Sequence, residues 1–495
     1  MSKYTGVNQQ YIGGQWRKGT GKTEIDLTNP YTQESITKIQ GAGTDDIDEA
    51  YKTAAEAQKN WAEVNAFERS RILEKAVQIM EERREEIVQL LIEDAGSTYI
   101  KANVEVDFCI SITRHASTFP FEMGGIMVPS VVPEKQNNIY RKPLGVVGVI
   151  GPFNFPMYLA MRSVAPAIAT GNAVVLKPDT QTAISGGTVI AKIFEEAGVP
   201  EGILNVVIPE LDEVGDAFVE HEIPRMISFT GSTNAGKHIG EICGRMIKKS
   251  VLELGGNNPF IVLDDANIDR AIEGALFGKY MHSGQICMAI NRIIVQKDVA
   301  DEFTKRYVEA AKKIKVGDPN DKETLIGPLI NQGAVERILG EIDKAKEEGA
   351  EVLLEGSVDG NVMTPYVLKG TNDMSTAKNE MFGPVVTIIP VESEEEALRV
   401  ANDTEFGLSG SVHAGKYERG MKFAQRMETG MVHINDQSVN DEPLVAFGGE
   451  KNSGLGRFGG EWSLDEFTTF QWISVQEEKR EYPLQYEQLE DEKKK

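Results

Sequence analysis

The sequence predicts an α/β protein built from more than one domain, and three observations carry that reading. At 495 residues the chain is long for a single core. Between residues 144 and 254, apolar runs such as L-G-V-V-G-V-I (144–150), A-V-V-L (173–176) and L-N-V-V (204–207) alternate with helical stretches such as 185–197. Strand, helix, strand in that order means a parallel sheet covered by helices on both faces. A second run of the same kind starts at P-F-I-V-L (259–263). It continues through a helix at 268–280, a strand at 292–295 and a helix at 301–314 to about residue 430.

The remaining segments fall around these two runs. Residues 9–42 alternate apolar and polar side chains with Gly and Asn-Pro punctuation, the mark of short strands and turns at a domain edge. From residue 45 to about 101 apolar residues recur every three to four positions. That segment is helical, with Asp45 and Asp46 as cap residues of its first helix. Residues 125–142 lack helical period and read as an extended excursion. The stretch F-T-T-F-Q-W-I-S-V-Q (467–476) is strand-like, and the charged segment from 481 to 495 reads as a frayed end.

Composition excludes several function classes. A formal charge of −24 argues against nucleic acid or an anionic membrane surface as partner, because both attract an excess of Lys and Arg. The acidic residues are spread along the chain, as on a solubilising surface. No run approaches the roughly 18 apolar residues of a membrane span, and the N-terminus has no apolar signal core. Three cysteines, Cys109, Cys243 and Cys287, do not make a disulfide framework. They fit a reducing, cytoplasmic setting. No metal-ligand spacing stands out.

Residues 251–295 concentrate the reactive groups. Glu253 stands before a Gly-Gly turn in E-L-G-G-N-N-P, and Cys287 follows in G-Q-I-C. Cysteine is the strongest nucleophile among side chains, and a nearby carboxylate can take a proton from an attacking water. Gly284 and Gln285 place Cys287 in a loop, where side chains are presented to ligands. The segment F-T-G-S-T-N-A-G (229–236) follows a strand at 226–229 and opens a helix, the setting of a phosphate-binding turn. Its spacing is G-x-x-x-x-G, so it fails the strict G-x-G-x-x-G test.

These motifs occur in order with G-P-F-N-F-P (151–156), G-N-A-V-V-L-K-P (171–178), E-M-F-G-P-V-V (380–386) and F-G-G-E-K-N-S-G-L-G-R (447–457). Together they resemble the NAD(P)-dependent aldehyde dehydrogenase superfamily, from Asn29 to about Trp472. The resemblance implies a Rossmann-like cofactor domain (1–124, 143–254 and 436–466) and an α/β catalytic domain (255–435). A small β oligomerisation flap with the tail (125–142 and 467–495) completes that fold. It also implies a homodimer or homotetramer. The family departs from the usual dinucleotide fingerprint in the same way as 229–236.

The resemblance assigns roles residue by residue. Cys287 is the nucleophile, Glu253 the base for hydrolysis, and Asn154 the side-chain donor to the adduct oxygen. Lys177, Asp179, Thr180, Gly231, Ser232, Thr233, Gly236, Leu254, Gly255, Glu380 and Phe382 contact NAD or NADP. Strictly NAD-dependent relatives carry a Glu where this chain has Thr180, so both cofactors are expected. The loop 435–443 and the surroundings of Cys287 resemble the benzaldehyde, salicylaldehyde and vanillin dehydrogenases, which implies an aromatic aldehyde. Phe155, Tyr158, Met161, Arg162, Met288 and Phe447 would line its tunnel; Arg162 falls where many relatives carry Trp.

Other readings are an aldehyde dehydrogenase for aliphatic or semialdehyde substrates, a cofactor-independent thiol esterase, and a non-catalytic binding or structural relative. A simple esterase has no use for Lys177, Glu380 or the phosphate turn. Intact Cys287, Glu253 and Asn154 count against a non-catalytic relative.

Overall fold

The computed structural model describes residues 6–482; the closing segment expected to fray lies mostly outside them. The first α/β run forms a sheet whose parallel centre has the order Leu204–Val206, Ala173–Lys177, Val146–Ile150, Met226–Thr230, Lys249–Glu253. These strands are nearly continuous apolar runs because helices bury both faces. Strand order reverses between Val146–Ile150 and Met226–Thr230. The crevice at such a switch point, beyond the carboxyl ends of the strands, is where open α/β sheets bind ligands. Gly151–Asn154, Lys177, the 230–235 turn and Glu253 all emerge at that edge.

The second run forms another sheet, ordered Glu351–Leu354, Tyr366–Lys369, Val385–Val391, Ile290–Gln296, Asn258–Val262, Ser411–His413, His433–Ile434. All but its first pairing are parallel. The stretches 125–142 and 467–476 pair with each other. Thr468–Gln476 runs antiparallel to Lys135–Pro143 along its full length, with Ile126–Val128 on the other side. This three-stranded sheet exposes Met127, Phe470 and Trp472. No described helix is long and apolar enough to cross a membrane. Among the described residues, no group of three or more His, Cys, Asp or Glu could hold a metal.

Several boundaries differ from expectation for local reasons. The first long helix is Thr44–Trp61 with Gly43 as its N-cap, and Asp45 and Asp46 lie inside the first turn. Asp46 reaches back to accept the Gly43 N–H at 2.9 Å, so it satisfies the helix end from the third position. The helix expected at 185–197 opens with a π turn, Ile184–Thr188, where Gly186 and Gly187 sit against Pro156 and Pro178. The helix expected at 301–314 is Lys297–Ala311.

Candidate active site

Glu253 is the last residue of the strand Lys249–Glu253 and is 1% exposed. Neither of its carboxylate oxygens has a conventional hydrogen-bond partner, and the Cys287 thiol, a weak donor, faces it. Burial raises the Glu253 carboxyl to about 7, against a smaller lowering by the Arg162 charge. Burial, then the Glu253 charge, pushes the Cys287 thiol up. Near neutral pH the resting pair is therefore a thiol beside a carboxyl close to its own midpoint, poised to exchange a proton.

Two elements hold that pair in register. The helix Ile268–Tyr280 is broken by left-handed His282, Ser283 and Gly284, which turn the chain into the loop carrying Cys287. The Gly-Gly turn after Glu253 then clamps this loop. A Cβ on Gly256 would stand 2.3 Å from the Cys287 carbonyl oxygen, so only glycine permits the approach. Asn258 donates from one amide nitrogen to the carbonyls of Cys287 and Ala289, at 2.8 and 2.9 Å. Gln285 adds a bond from the Ile330 N–H to its own side-chain oxygen, and Ser438 donates to the Met288 carbonyl at 2.7 Å. E-L-G-G-N-N-P thus serves as a rigid seat for the loop.

Asn154 lies across from this loop, 4% exposed, and its amide donates to the Gln285 carbonyl at 2.9 Å. An amide nitrogen carries two hydrogens, and one is committed here.

Cys287, Asn154 and Leu159 are shared by two cavities. The larger, about 860 Å³, extends along the switch point of the first sheet. Lys177, Asp179, Gly231, Ser232 and Thr233 line it, as do Leu254, Gly255, Glu380 and Phe382. Ser232 caps the helix Thr233–Met246 by accepting the Ala235 N–H at 3.3 Å, so that helix presents its first N–H groups to the cavity. Glu380 accepts the Gly256 N–H at 2.9 Å, and burial raises its carboxyl to about 7. Phe382 sits at φ 47° with its ring edge-on to Phe153. Such a donor set, an anion-binding helix end with a lysine at one side and a carboxylate at the other, fits a dinucleotide.

Two residues expected at this cavity are elsewhere. Thr180 opens a 3-10 turn, Thr180–Thr182, and is not on the cavity wall; Asp179 and Gln181, on either side of it, are. Asp179 caps the turn by accepting the Gln181 N–H at 2.9 Å. Gly236 is also off the wall. A Cβ there would lie 2.2 Å from Leu254, so this glycine lets the helix pack on the strand end. Gln181, Asn331 and Arg337 line the cavity without any motif to announce them.

The smaller cavity, about 60 Å³, runs from Cys287 between Phe155, Tyr158, Arg162, Met288 and Phe447. Met161 is fully buried but absent from its wall. On the helix Pro156–Ala169, entered through Phe155, the lining residues are Phe155, Tyr158, Leu159 and Arg162. That is the i, i+3, i+4, i+7 stripe, and Met161 falls outside it. Phe108, Phe277, Met281 and Asp441 are among the other wall residues, and no motif in the sequence marks them. Asp441 forms a buried ion pair with Arg162 and accepts the Tyr158 hydroxyl at 2.6 Å.

The sequence matches the profile of the Aldehyde dehydrogenase family over residues 16–473. It is 51% identical over 484 residues to benzaldehyde dehydrogenase YfmT of Bacillus subtilis, covering 98% of this chain and 100% of the relative. With a vanillin dehydrogenase of Corynebacterium glutamicum the identity is 47% over 472 residues, covering 95% and 98%. The solved structure of an NAD-dependent benzaldehyde dehydrogenase from Corynebacterium glutamicum superposes with a TM-score of 0.88 at 44% identity, over 95% of this chain and 98% of that one. A family profile spanning nearly the whole chain, and relatives of this identity matched end to end, decide the matter: this chain belongs to the aldehyde dehydrogenase family.

Proposed function

We propose that the protein oxidises an aromatic aldehyde to its carboxylate with NAD(P)+ and water. The observation that carries this reading is the Cys287–Glu253 pair at the junction of a dinucleotide-sized cavity and a tunnel walled by aromatic and thioether side chains. An aldehyde has no leaving group except hydride, so a nucleophile must first make its carbon tetrahedral. The Cys287 sulfur adds to the carbonyl carbon while its proton passes to Glu253 and from there to solvent, leaving the negative charge on the carbonyl oxygen and Glu253 again a base. The uncommitted hydrogen of the Asn154 amide and the Cys287 backbone N–H stabilise that oxygen. NAD(P)+ would be held by Lys177, Glu380, Phe382 and the 231–235 turn, and when bound it would supply the hydride acceptor. Loss of hydride leaves a thioester on Cys287. Glu253 then takes a proton from water, the water oxygen attacks the thioester, and the acid leaves with the thiol restored.

Relatives named for benzaldehyde and vanillin support the aromatic substrate. The tunnel is smaller than the cavity of about 150 Å³ that admits benzene elsewhere. Met281 and Met288, unbranched and adaptable, are the side chains suited to yield to a ring. The name of the NAD-dependent relative supports NAD, and the lysine beside Asp179 supports tolerance of NADP. The proposed domains are those the sequence implies, with the apolar flap face joining copies into a dimer or tetramer. Three free buried thiols fit a cytoplasmic location.

Absorbance at 340 nm with benzaldehyde and each cofactor tests the reading. Benzaldehyde-dependent reduction of NAD is expected. Oxidation of aliphatic aldehydes alone would overturn the aromatic assignment, and ester hydrolysis without any reduction would overturn the whole.

A further inference from the structure

Arg162 is a buried cation whose ion pair satisfies only part of it. The side chain is 2% exposed. Its Nη2 is held by Asp441 and lies 3.3 Å from the Tyr158 hydroxyl, while its buried Nη1 has no hydrogen-bond partner. The guanidinium stacks on Phe447, 3.8 Å from the ring centroid, and is flanked by Tyr158 and Phe458. These aromatic faces fix the plane of the fork but offer Nη1 no acceptor. Arg162, Tyr158, Asp441 and Phe447 all line the tunnel that ends at Cys287. The other side chains of the tunnel wall, among them Val104, Phe108, Phe277, Met281, Ile286 and Val439, are apolar and offer no side-chain oxygen or nitrogen acceptor.

We infer that Arg162 is a specificity-determining residue whose Nη1 donates to a neutral oxygen, a phenolic hydroxyl or aryl ether, on the ring of the substrate. The inference rests on the aromatic-aldehyde reading and goes further, to the ring substituent. A ring that presents only C–H to Nη1 leaves a desolvated donor unpaired, or removes a water without replacing its bond. An oxygen at that point restores the bond. Sites built to pair a polar group discriminate strongly against analogues that lack it. The preferred oxygen is neutral because Asp441 already balances the Arg162 charge, and Glu253 lies close enough for that charge to act on it. A carboxylate on the ring would bring a further negative charge into a buried wall with one cation.

The test is a set of matched pairs, hydroxybenzaldehyde against methylbenzaldehyde, at the 2-, 3- and 4-positions. The two substituents are similar in size, so shape largely cancels. At one ring position the hydroxyl should raise kcat/KM by about 10-fold or more, which is about 1.4 kcal/mol, chiefly through KM. The corresponding carboxybenzaldehyde should be poorer than the methyl compound. Arg162→Lys keeps a positive charge opposite Asp441 and withdraws the second nitrogen. In that variant the ratio at the sensitive position should fall to within about 2-fold of the ratios at the other positions. Such a ratio isolates the ring contact from any general loss of activity. A measurement on the wild type guards against a variant that fails to fold: hydroxybenzamide should inhibit benzaldehyde turnover about 10-fold more tightly than the matching methylbenzamide. Equal ratios at all three positions, or a hydroxyl preference that survives Arg162→Lys, would overturn the inference. Oxidation of benzaldehyde without any oxygen preference sinks this inference alone, whereas failure to oxidise any aromatic aldehyde sinks the underlying function with it.

Discussion

The Glu105 carboxylate accepts hydrogen bonds from the backbone N–H groups of Met157 and Tyr158, at 2.9 and 3.1 Å. Both N–H groups belong to the first turn of the helix Pro156–Ala169, which starts two residues after Asn154. A buried anion at a helix N-terminus satisfies orphan donors and complements the helix dipole. Glu105 is itself fully buried and paired with Lys101, whose ammonium lies 4.3 Å from the centroid of the Phe155 ring. One ion pair from the helix Tyr99–Ala116 therefore seats the segment that carries both Asn154 and the tunnel stripe.

Glu105→Gln should destabilise the fold by about 3–5 kcal/mol, because it leaves Lys101 as an uncompensated buried charge. Lys101→Met combined with Glu105→Gln should recover part of that loss. Denaturant midpoints on the three proteins check it. A Glu105→Gln variant within about 0.5 kcal/mol of wild type, the size of a surface change, would show that the pair does not anchor the helix.

Cys287→Ala should abolish aldehyde-dependent cofactor reduction and leave cofactor binding intact. The other two thiols cannot take over. Cys109 is fully buried beside Glu105, and Cys243 is buried on the helix Thr233–Met246, away from both cavities. Single-turnover absorbance and cofactor fluorescence titration separate the two effects. NADH formation by the variant at a rate comparable to wild type would move the nucleophile elsewhere.

Much of this site could be read from the sequence, and what could not has definite physical causes. The parallel strands were legible because burial on both faces leaves runs such as A-V-V-L-K with no polar interruption. Glu253 and Cys287 were legible because the glycines and asparagines that seat the Cys287 loop leave a fixed local pattern. Asp441 was not, since it meets Arg162 across 279 positions and stands in a loop where an acidic residue is ordinarily solvated. Leu159 against Met161 turns on helical phase, which shifts with the residue at which the helix starts. Thr180 against Gln181 turns on a three-residue 3-10 turn too short to have a periodic signature.

Activity should depend on the Glu253 carboxylate with a definite sign. Burial holds its carboxyl near 7. The basic form, which the proposed hydrolysis needs, is therefore lost as pH falls through that value and gained as pH rises. In the wild type kcat should climb from pH 6 to 8 with an apparent pKa near 7. That pKa belongs to the Glu253–Cys287 pair, because the two groups interact. Glu253→Gln should cut kcat by about 10²-fold or more and flatten this limb. Persistence of the same limb in the variant would assign the ionisation to another group.

Cofactor choice turns on which side chain meets the adenosine ribose, and Asp179 rather than Thr180 stands on the cavity wall beside Lys177. A 2′-phosphate brings roughly −1.5 to −2 charges at neutral pH, which Asp179 repels and Lys177 attracts. NAD should therefore be preferred, with kcat/KM for NADP within about 100-fold of it, or about 2.7 kcal/mol. Asp179→Asn removes the carboxylate charge and keeps a side chain able to cap the Thr180–Thr182 turn. It should raise NADP use relative to NAD by about 10-fold, the scale of one charge at a partly screened site. Thr180→Glu, placed off the wall, should change that ratio by less. Steady-state kinetics with both cofactors on the three proteins decide between the two positions. If Thr180→Glu suppresses NADP more than Asp179→Asn relieves it, residue 180 reaches the ribose when cofactor binds, and the guarding role passes to it.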